Sequence, residues 1–293
     1  MTSHLRVLHP AEGVLAFYDG RVPGYRFEPA PNWVDEGAIS LGIASYAILD
    51  GDEALVYDTH VSIPHGHAIR EAVEAAGARR ITVLLSHWHL DHVAGSEAFA
   101  DCEILASERT GELLFDNREQ IETGALEGPP AIAPLLLPTH TIEDRMELAI
   151  GGRTLQLIPV EIHSDDAVVV WEPATATLLA GDTVEDTVTY VDEPEGFPAH
   201  LRDLTRLLGL EPARVLPNHG DPELIGGGGY GPGLLRATQD YIRFLQRCRD
   251  EPDLRDLPLR EVLSDALAAG AVHYFEPYEA VHRRNVKRVL AAA

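Results

Sequence analysis

The chain is poor in cysteine and in long apolar runs. Its 293 residues include only two cysteines, Cys102 and Cys248, and both lie in apolar or helical patterns. Two cysteines cannot support a disulfide-dense scaffold, and we interpret them as buried free thiols. No apolar run approaches the roughly 18 residues that span a bilayer. Residues 1–10 lack the apolar core of a signal peptide, so we expect a cytoplasmic protein.

Cationic side chains are also scarce. The chain has 23 Lys and Arg residues against 47 Asp and Glu residues, which gives a formal net charge of −24. A surface this acidic repels phosphate backbones and anionic membranes. We therefore expect a small-molecule substrate, and neither a nucleic-acid partner nor a membrane surface. The sequence leaves homo-oligomerisation open.

One short segment, residues 86–92, is rich in metal-binding side chains. It reads Ser-His-Trp-His-Leu-Asp-His and follows the apolar run 81–85, which predicts a buried strand. Imidazole and carboxylate groups are the usual ligands of zinc and of similar divalent ions. The pattern therefore predicts a metal site at a sheet edge, and a solvated polar turn is the less favoured alternative. The predicted ligands in this segment are His87, His89, Asp91 and His92.

Three later residues extend this site. His163, Asp182 and His219 each follow an apolar run that predicts a strand. Layered α/β proteins usually build their sites at such strand ends. A lone histidine is more often a surface or core residue, but together with the first segment we predict that all three are metal ligands.

The ordered set of seven residues resembles the metallo-β-lactamase superfamily over about residues 41–219. This resemblance implies a four-layer αββα sandwich, whereas the residue pattern alone supports only a layered α/β protein. It also implies that one ion is held by His87, His89 and His163. Asp91, His92 and His219 would hold a second ion, and Asp182 would bridge the two.

Two departures from the β-lactamases refine the resemblance. Asp182 stands where many of those enzymes carry a cysteine, and the chain keeps both Asp91 and His92. Both features resemble the branches that include glyoxalase II and lactonases. Lactonases often place a tyrosine three residues after the bridging aspartate, where this chain has Glu185. Tyr190 is our candidate oxyanion donor, although a packing role is the simpler interpretation of this residue.

The resemblance implies a dinuclear metal-dependent hydrolase, in which Asp91 and Asp182 act in catalysis through the metals. A hydroxide between two divalent ions would attack a carboxylic ester, lactone, thioester or amide. Zn²⁺ is the favoured ion, with Fe or Mn as alternatives. Other functions on the same scaffold are an iron-dependent oxidoreductase similar to persulfide dioxygenases, a phosphodiesterase, and a binding protein with a vestigial site.

The pattern divides the chain into three parts. Residues 1–36 form an N-terminal prelude packed on the domain, residues 37–231 a metallo-β-lactamase-like domain, and residues 232–293 a C-terminal helical extension near the site mouth. Helices are predicted at 64–76, 108–115 and 199–208, and in the extension at 234–248, 259–269 and 278–291. Residues 117–141 read as a long connection, either a lid or a surface crossover.

Some polar residues outside the ligand set are also candidates. Asp58 ends a predicted strand and could orient an imidazole, although a turn-forming carboxylate is an equal alternative. We expect His60, His65 and His67 at the surface or pocket rim. Helix spacing does not bring His65 and His67 onto one face, which argues against a third metal site.

Overall fold

Two β-sheets form the centre of the computed structural model, which describes residues 2–292. The first sheet has seven strands in sequence order: β1 (Arg6–Ala11), β2 (Val14–Asp19), β3 (Ile43–Asp50), β4 (Glu53–Tyr57), β5 (Arg80–Leu84), β6 (Glu103–Ser107) and β7 (His140–Ile142). The second has five in the order β12-β11-β10-β9-β8: β8 (Met146–Ile150), β9 (Arg153–Pro159), β10 (Val168–Glu172), β11 (Thr177–Gly181) and β12 (Arg214–Pro217).

Strand direction changes within each sheet. β1 to β4 pair antiparallel, and β4 to β7 pair parallel. In the second sheet β8 to β11 pair antiparallel, and β11 and β12 pair parallel. The parallel pairs need crossover connections, which in a layered protein run across the outer face of a sheet. They also place the carboxyl ends of β4, β5, β11 and β12 where polar turns can meet.

Helices cover the outer faces of both sheets. They are α1 (Ile63–Ala75), α2 (Leu90–Val93), α3 (Glu108–Thr123), α4 (Phe197–Leu208), α5 (Pro222–Gly226), α6 (Gly233–Arg247), α7 (Leu259–Val262), α8 (Ser264–Ala268) and α9 (Tyr278–Ala291). The result is the four-layer αββα sandwich that the resemblance implied, with helices at the C-terminal end. Within residues 2–292, no helix is both long enough and apolar enough to cross a bilayer.

Local sequence sets the ends of two helices that pack on the first sheet. α1 begins after Ser62, whose side chain accepts from the His65 backbone N–H, and Pro64 lies in its first turn. α3 begins after Ser107, whose hydroxyl accepts from a backbone N–H of the first turn. It ends at Gly124 in the left-handed conformation, φ 72°, which glycine adopts without a Cβ penalty.

The alternation of β3 shows how the apolar residues divide between two cores. Ala44, Tyr46 and Ile48 face the core between the two sheets, whereas Ile43 and Ala47 face the core beneath α1 and α3. Successive strand side chains point to opposite faces, so both faces of this strand are buried. The first sheet is therefore held on both sides, which fixes the polar turns at its edge.

The structure corrects three details of the sequence prediction. The helix predicted to end at residue 115 continues to Thr123, so residues 117–123 are helical and only 124–139 are irregular. Two segments of the predicted prelude do more than pack on the domain, because they form β1 and β2, two strands of the first sheet. The helix predicted at 259–269 is broken at Leu263 into α7 and α8. The domain boundaries at 36/37 and 231/232 stay predictions.

Candidate metal centre

The candidate site lies where strand ends of the two sheets meet. Hydrogen bonds between the sheets hold these ends together: Val168 N–H donates to the Ser86 carbonyl at 2.7 Å, and Ala44 N–H donates to the Asn218 carbonyl at 2.7 Å. Within the second sheet, Asn218 N–H donates to the Gly181 carbonyl at 3.0 Å. The turns after β5, β11 and β12 are therefore fixed relative to one another before any ligand is considered.

The turn after β5 carries four of the predicted ligands. Asp58 Oδ1 accepts from Ser86 N–H at 2.6 Å, and Asp166 Oδ2 accepts from Trp88 N–H at 2.9 Å. Gly95 closes the segment, and a Cβ placed there would lie 2.0 Å from the Thr59 carbonyl oxygen. Only glycine permits this backbone approach, which holds the turn and α2 against the end of β4.

A first group of ligand atoms comes from three histidines. His87 Nε2 and His89 Nδ1 lie 3.0 Å apart, and His163 Nε2 lies 3.0 Å from the same His89 Nδ1. His87 and His163 are buried, and His89 is half-buried. Three imidazole nitrogens therefore face one point at the edge of the cavity described below.

A second group joins one carboxylate to two histidines. His92 Nε2 lies 3.4 Å from Asp91 Oδ1, and His219 Nε2 lies 3.3 Å from Asp91 Oδ2. His92 and His219 are buried. Asp91 thus faces both imidazoles with different oxygens.

Asp182 lies between the two groups. Its Oδ2 is 3.1 Å from His92 Nε2 and 3.4 Å from His219 Nε2 in the second group. The same oxygen is 3.8 Å from His163 Nε2 and 3.9 Å from His87 Nε2 in the first group. One carboxylate oxygen therefore contacts imidazoles from both groups, as the predicted bridging position requires.

Hydrogen bonds on the far side of the rings fix which nitrogen faces the site. His163 Nδ1 lies 3.0 Å from the Tyr190 carbonyl oxygen, and His219 Nδ1 lies 2.8 Å from the Gly42 carbonyl oxygen. A carbonyl only accepts, so each Nδ1 carries the proton. Nε2 is then the nitrogen of each ring that faces the site and could bind a cation.

Asp58 performs the same task for two other rings, as the sequence suggested. Its Oδ2 accepts from His92 Nδ1 at 2.9 Å and from the Ser86 hydroxyl at 2.7 Å. The Ser86 oxygen lies 2.9 Å from His87 Nδ1. Asn218 Nδ2 donates to the same Asp58 oxygen at 2.5 Å. The buried Asp58 carboxylate therefore orients imidazoles of both groups.

The donor set fits two divalent cations. A tetrahedral ion with ligands at about 2.0–2.1 Å separates neighbouring ligand atoms by about 3.3 Å, close to the distances above. Ligand atoms lie within 4.8 Å of one another in each of three sets, and imidazole and carboxylate donors suit zinc, iron and manganese. Asp182 Oδ1 is buried without a hydrogen-bond partner in the described chain, which a cation would supply. The three sets are His87/His89/His163, His87/His92/Asp182 and Asp91/His92/His219.

The structure thus brings all seven predicted residues together, and their binding of metal stays a prediction. Burial, with the neighbouring His163, lowers the pKa of His89 to about 3, which keeps this imidazole neutral. Burial alone would raise the pKa of Asp182, but His92 and His219 hold it well below the ordinary value. Against the effect of burial, Asp182 and its neighbouring carboxylates in turn hold the pKa values of His92 and His219 well above the ordinary value. Neutral imidazoles and an ionised carboxylate are the forms that bind metal, so a bound cation would displace the extra protons of these two rings.

A cavity of about 670 Å³ opens beside the site. Its lining includes the candidate ligands His89, Asp91, His163, Asp182 and His219. Other parts of the lining come from the short π-helix Val34–Ile39, from Glu127 and from α9. Of the predicted C-terminal extension, α9 and the residues just before it line the cavity, and part of the predicted connection 117–141 also reaches it.

Glu185 and Tyr190 line the same cavity. Glu185 Oε1 accepts from the Tyr190 N–H at 2.9 Å, and its Oε2 accepts from the Tyr278 hydroxyl at 3.0 Å. Burial raises the pKa of Glu185, which favours its protonated form. The Tyr190 ring lies beneath the Arg284 guanidinium, with 5.4 Å between that group and the ring centroid. A catalytic role for Tyr190 stays a prediction.

The expectation that His60 and His65 lie at the surface or rim is wrong. Both are fully buried and stacked, with ring centroids 4.6 Å apart, and His65 Nε2 lies 3.1 Å from Asp19 Oδ2. His67 is exposed and lies 3.5 Å from Glu97. Among the residues that the structure describes, none of the three belongs to a candidate metal group.

Sequence reasoning missed two contributors. Asn218 precedes a ligand and donates to Asp58, but an isolated asparagine in a turn carries no distinctive signal. Gly42 contributes its carbonyl to His219 from a position 177 residues earlier, which no local pattern reveals.

Comparison with known proteins decides the family. The family model of the metallo-beta-lactamase superfamily matches residues 40–219. The chain belongs to the metallo-beta-lactamase superfamily. The matched region begins just before β3 and ends at the last candidate ligand, so it contains all seven site residues.

Similar members of this superfamily are distant in sequence. The beta-lactamase-like protein 2 homolog of Caenorhabditis elegans is 24% identical over 185 residues, 61% of this chain and 56% of that protein. The Drosophila melanogaster homolog of the same name is 26% identical over 184 residues, 61% of this chain and 59% of that protein. The chain therefore spans less than two thirds of the length of either relative.

Solved metallo-beta-lactamase structures show the same fold. The DIM-1 enzyme exposed to ceftazidime superposes with a TM-score of 0.61 at 20% identity, covering 82% of this chain and 97% of that one. A metallo-beta-lactamase from Pontibacter korlensis gives a TM-score of 0.57 at 20% identity, covering 79% of this chain and 99% of that one. At this identity the likeness is one of fold alone.

Proposed function

We propose that this chain is a dinuclear metal-dependent hydrolase that cleaves a carboxylic ester, lactone, thioester or amide bond in a small molecule. The observation that carries this proposal is the position of Asp182, whose Oδ2 lies 3.1–3.9 Å from imidazole nitrogens of both ligand groups. Zinc is our favoured ion, and iron or manganese would suit the same imidazole and carboxylate donors.

The proposed ligands divide as the geometry suggests. His87, His89 and His163 would hold one ion, and Asp91, His92 and His219 the other, with Asp182 shared. Two bound ions would supply Lewis acidity and a water ionised near neutral pH, so no serine or cysteine nucleophile is needed.

The remaining residues orient ligands and shape the pocket. Asp58 holds the imidazole rings of His87 and His92, directly or through Ser86. Glu185 lines the cavity and burial raises its pKa, so we propose it as a residue that carries a proton there. Tyr190 lines the same cavity, and its hydroxyl is our proposed oxyanion donor.

A metal and activity assay on matched variants tests this proposal. Protein expressed with ample zinc should bind about two ions per chain and hydrolyse at least one substrate in a panel of lactones, esters, thioesters and amides. Asp182→Asn should bind less metal and lose most activity while keeping its fold by circular dichroism. Asp116→Asn, which alters an exposed carboxylate on α3, is the control and should match the wild type.

The outcomes separate the alternatives. Less than one ion per chain, or full activity in Asp182→Asn, would contradict the ligand assignment. Bound iron with metal-dependent oxygen uptake and no hydrolysis would favour the oxidoreductase instead. Turnover of a chromogenic phosphodiester alone would favour the phosphodiesterase.

A further inference from the structure

Acidic side chains far outnumber basic ones in the lining of the cavity beside the candidate metal centre. Apart from histidines, its lining has seven acidic residues and one basic residue. Asp91 and Asp182 belong to the candidate metal centre, and five acidic residues lie outside it: Glu36, Glu127, Glu185, Asp192 and Glu276.

Three of these carboxylates come from separate segments and remain unpaired. Glu36 lies in the short π-helix Val34–Ile39, Glu127 in the segment after α3, and Glu276 just before α9. Within residues 2–292, none of the three has a cationic side chain within ion-pair distance, whereas many surface carboxylates of this chain pair with arginine. Three separate segments thus each contribute one exposed acidic residue without an ion-pair partner to the lining of the same cavity.

The cations near the cavity offset only part of this charge. Arg284 is the one basic residue in the described lining, and its guanidinium lies over the Tyr190 ring. Arg288 lies 3.4 Å from Asp192, so that pair is already balanced. The lining outside the metal centre therefore keeps a net negative charge.

These carboxylates share their cavity with a group that requires a ligand. Asp182 lines the cavity and is only 5% exposed, and its Oδ1 has no hydrogen-bond partner in the described chain. A molecule bound in this cavity therefore shares it with these acids.

We infer that the substrate carries a cationic group, such as an ammonium, and that Glu36, Glu127 and Glu276 select it. This inference rests on the proposed hydrolase function and names its substrate class. A cleft lined by charges of one sign focuses the field and raises the local concentration of ligands of opposite charge, with on-rate effects of about 10-fold or more. An anionic substrate would be attracted by the metal ions but repelled by the lining.

Binding of three matched hydroxamic acids tests the inference without turnover. The hydroxamate anchors each probe on the metal centre, and a six-carbon chain ends in an ammonium (6-aminohexanohydroxamic acid), a methyl (hexanohydroxamic acid) or a carboxylate (adipic acid monohydroxamic acid). Calorimetry on the metal-loaded protein at low salt should rank their affinities in that order, with at least about a tenfold difference in Kd between the first and the last. About 0.5 M salt should shrink this difference.

Variants separate the cavity from the overall charge. Glu36→Gln, Glu127→Gln and Glu276→Gln combined should remove most of the preference while leaving metal content unchanged. The control combines Glu71→Gln, Glu119→Gln and Glu261→Gln, which change the net charge equally at exposed positions outside the cavity, and it should keep the preference.

The possible failures are distinguishable. Equal affinities, tighter binding of the carboxylate probe, or equal loss of preference in both triple variants would overturn the inference and leave the metal centre intact. If none of the three hydroxamates binds in a metal-dependent way, the proposed hydrolase site itself is contradicted.

Discussion

Replacing Asp58 with asparagine tests how the site is held together. The Asp58 carboxylate is fully buried, and it accepts hydrogen bonds from Ser86 N–H and its hydroxyl, from His92 Nδ1 and from Asn218. Asp58 also has a positive φ of 67°, which asparagine tolerates. The change therefore alters the charge and the acceptors but not the backbone preference.

The magnitude follows from these contacts. Three donors point at Oδ2 and one at Oδ1, so an amide oxygen in the Oδ2 position keeps three donors but turns an NH₂ towards Ser86 N–H. Leaving one buried donor unpaired costs about 1–3 kcal/mol. Loss of the negative charge also makes His92 a weaker ligand, and such changes typically reduce metal affinity about 10–100-fold.

Chemical denaturation and metal titration measure the two effects separately. Glu172→Gln is the control, because Glu172 is a buried carboxylate that pairs with Arg153 at 2.6 Å and lies outside the cavity lining. It should lose stability and keep its metal affinity. If Asp58→Asn binds metal as tightly as the wild type, the argument that Asp58 orients the ligands is refuted.

Three further predictions concern packing, pH and metal removal. Gly95→Ala should lose at least about 2 kcal/mol of unfolding free energy, because its Cβ would lie 2.0 Å from the Thr59 carbonyl oxygen. The control Gly37→Ala should be neutral, because no atom lies within 4 Å of the added Cβ. Equal stabilities of the two variants would contradict this prediction. Burial, with Asp165 and Asp166, raises the pKa of Glu193 to about 7. Ionising this carboxyl therefore destabilises the fold as pH rises through 7, so Glu193→Gln should melt above the wild type at about pH 8 and alike at about pH 4. Chelation should lower the melting temperature, because free metal at about 100 times its Kd stabilises by about 2.7 kcal/mol; an unchanged value would oppose the ligand assignment.

Much of the candidate site could be predicted because its residues follow strands in the sequence. The apolar run 81–85 locates the turn that carries His87, and similar runs locate Asp182 and His219. Asp58 was recognisable for the same reason. Asn218 was not, because its role depends on contact with Asp58, 160 residues away. Glu127 was likewise hidden, since only the fold brings its segment to the cavity.

Long-range packing also explains the errors. His60 and His65 look like surface residues in a polar segment, but α1 packs on the first sheet and buries His65 against Asp19. β1 pairs with β2 at the edge of the first sheet. The alternation of side chains along β1 does not by itself show which sheet this strand joins. The continuation of α3 had a local signal, Gly124, which the proline-rich stretch after it masked.

The most direct measurement is an anomalous diffraction map of metal-replete crystals, recorded at the absorption edge of the bound metal. The account predicts two strong peaks, one beside His87, His89 and His163 and one beside Asp91, His92 and His219, with Asp182 between them. A map without peaks at these side chains, despite ample metal in the crystallisation medium, would contradict it.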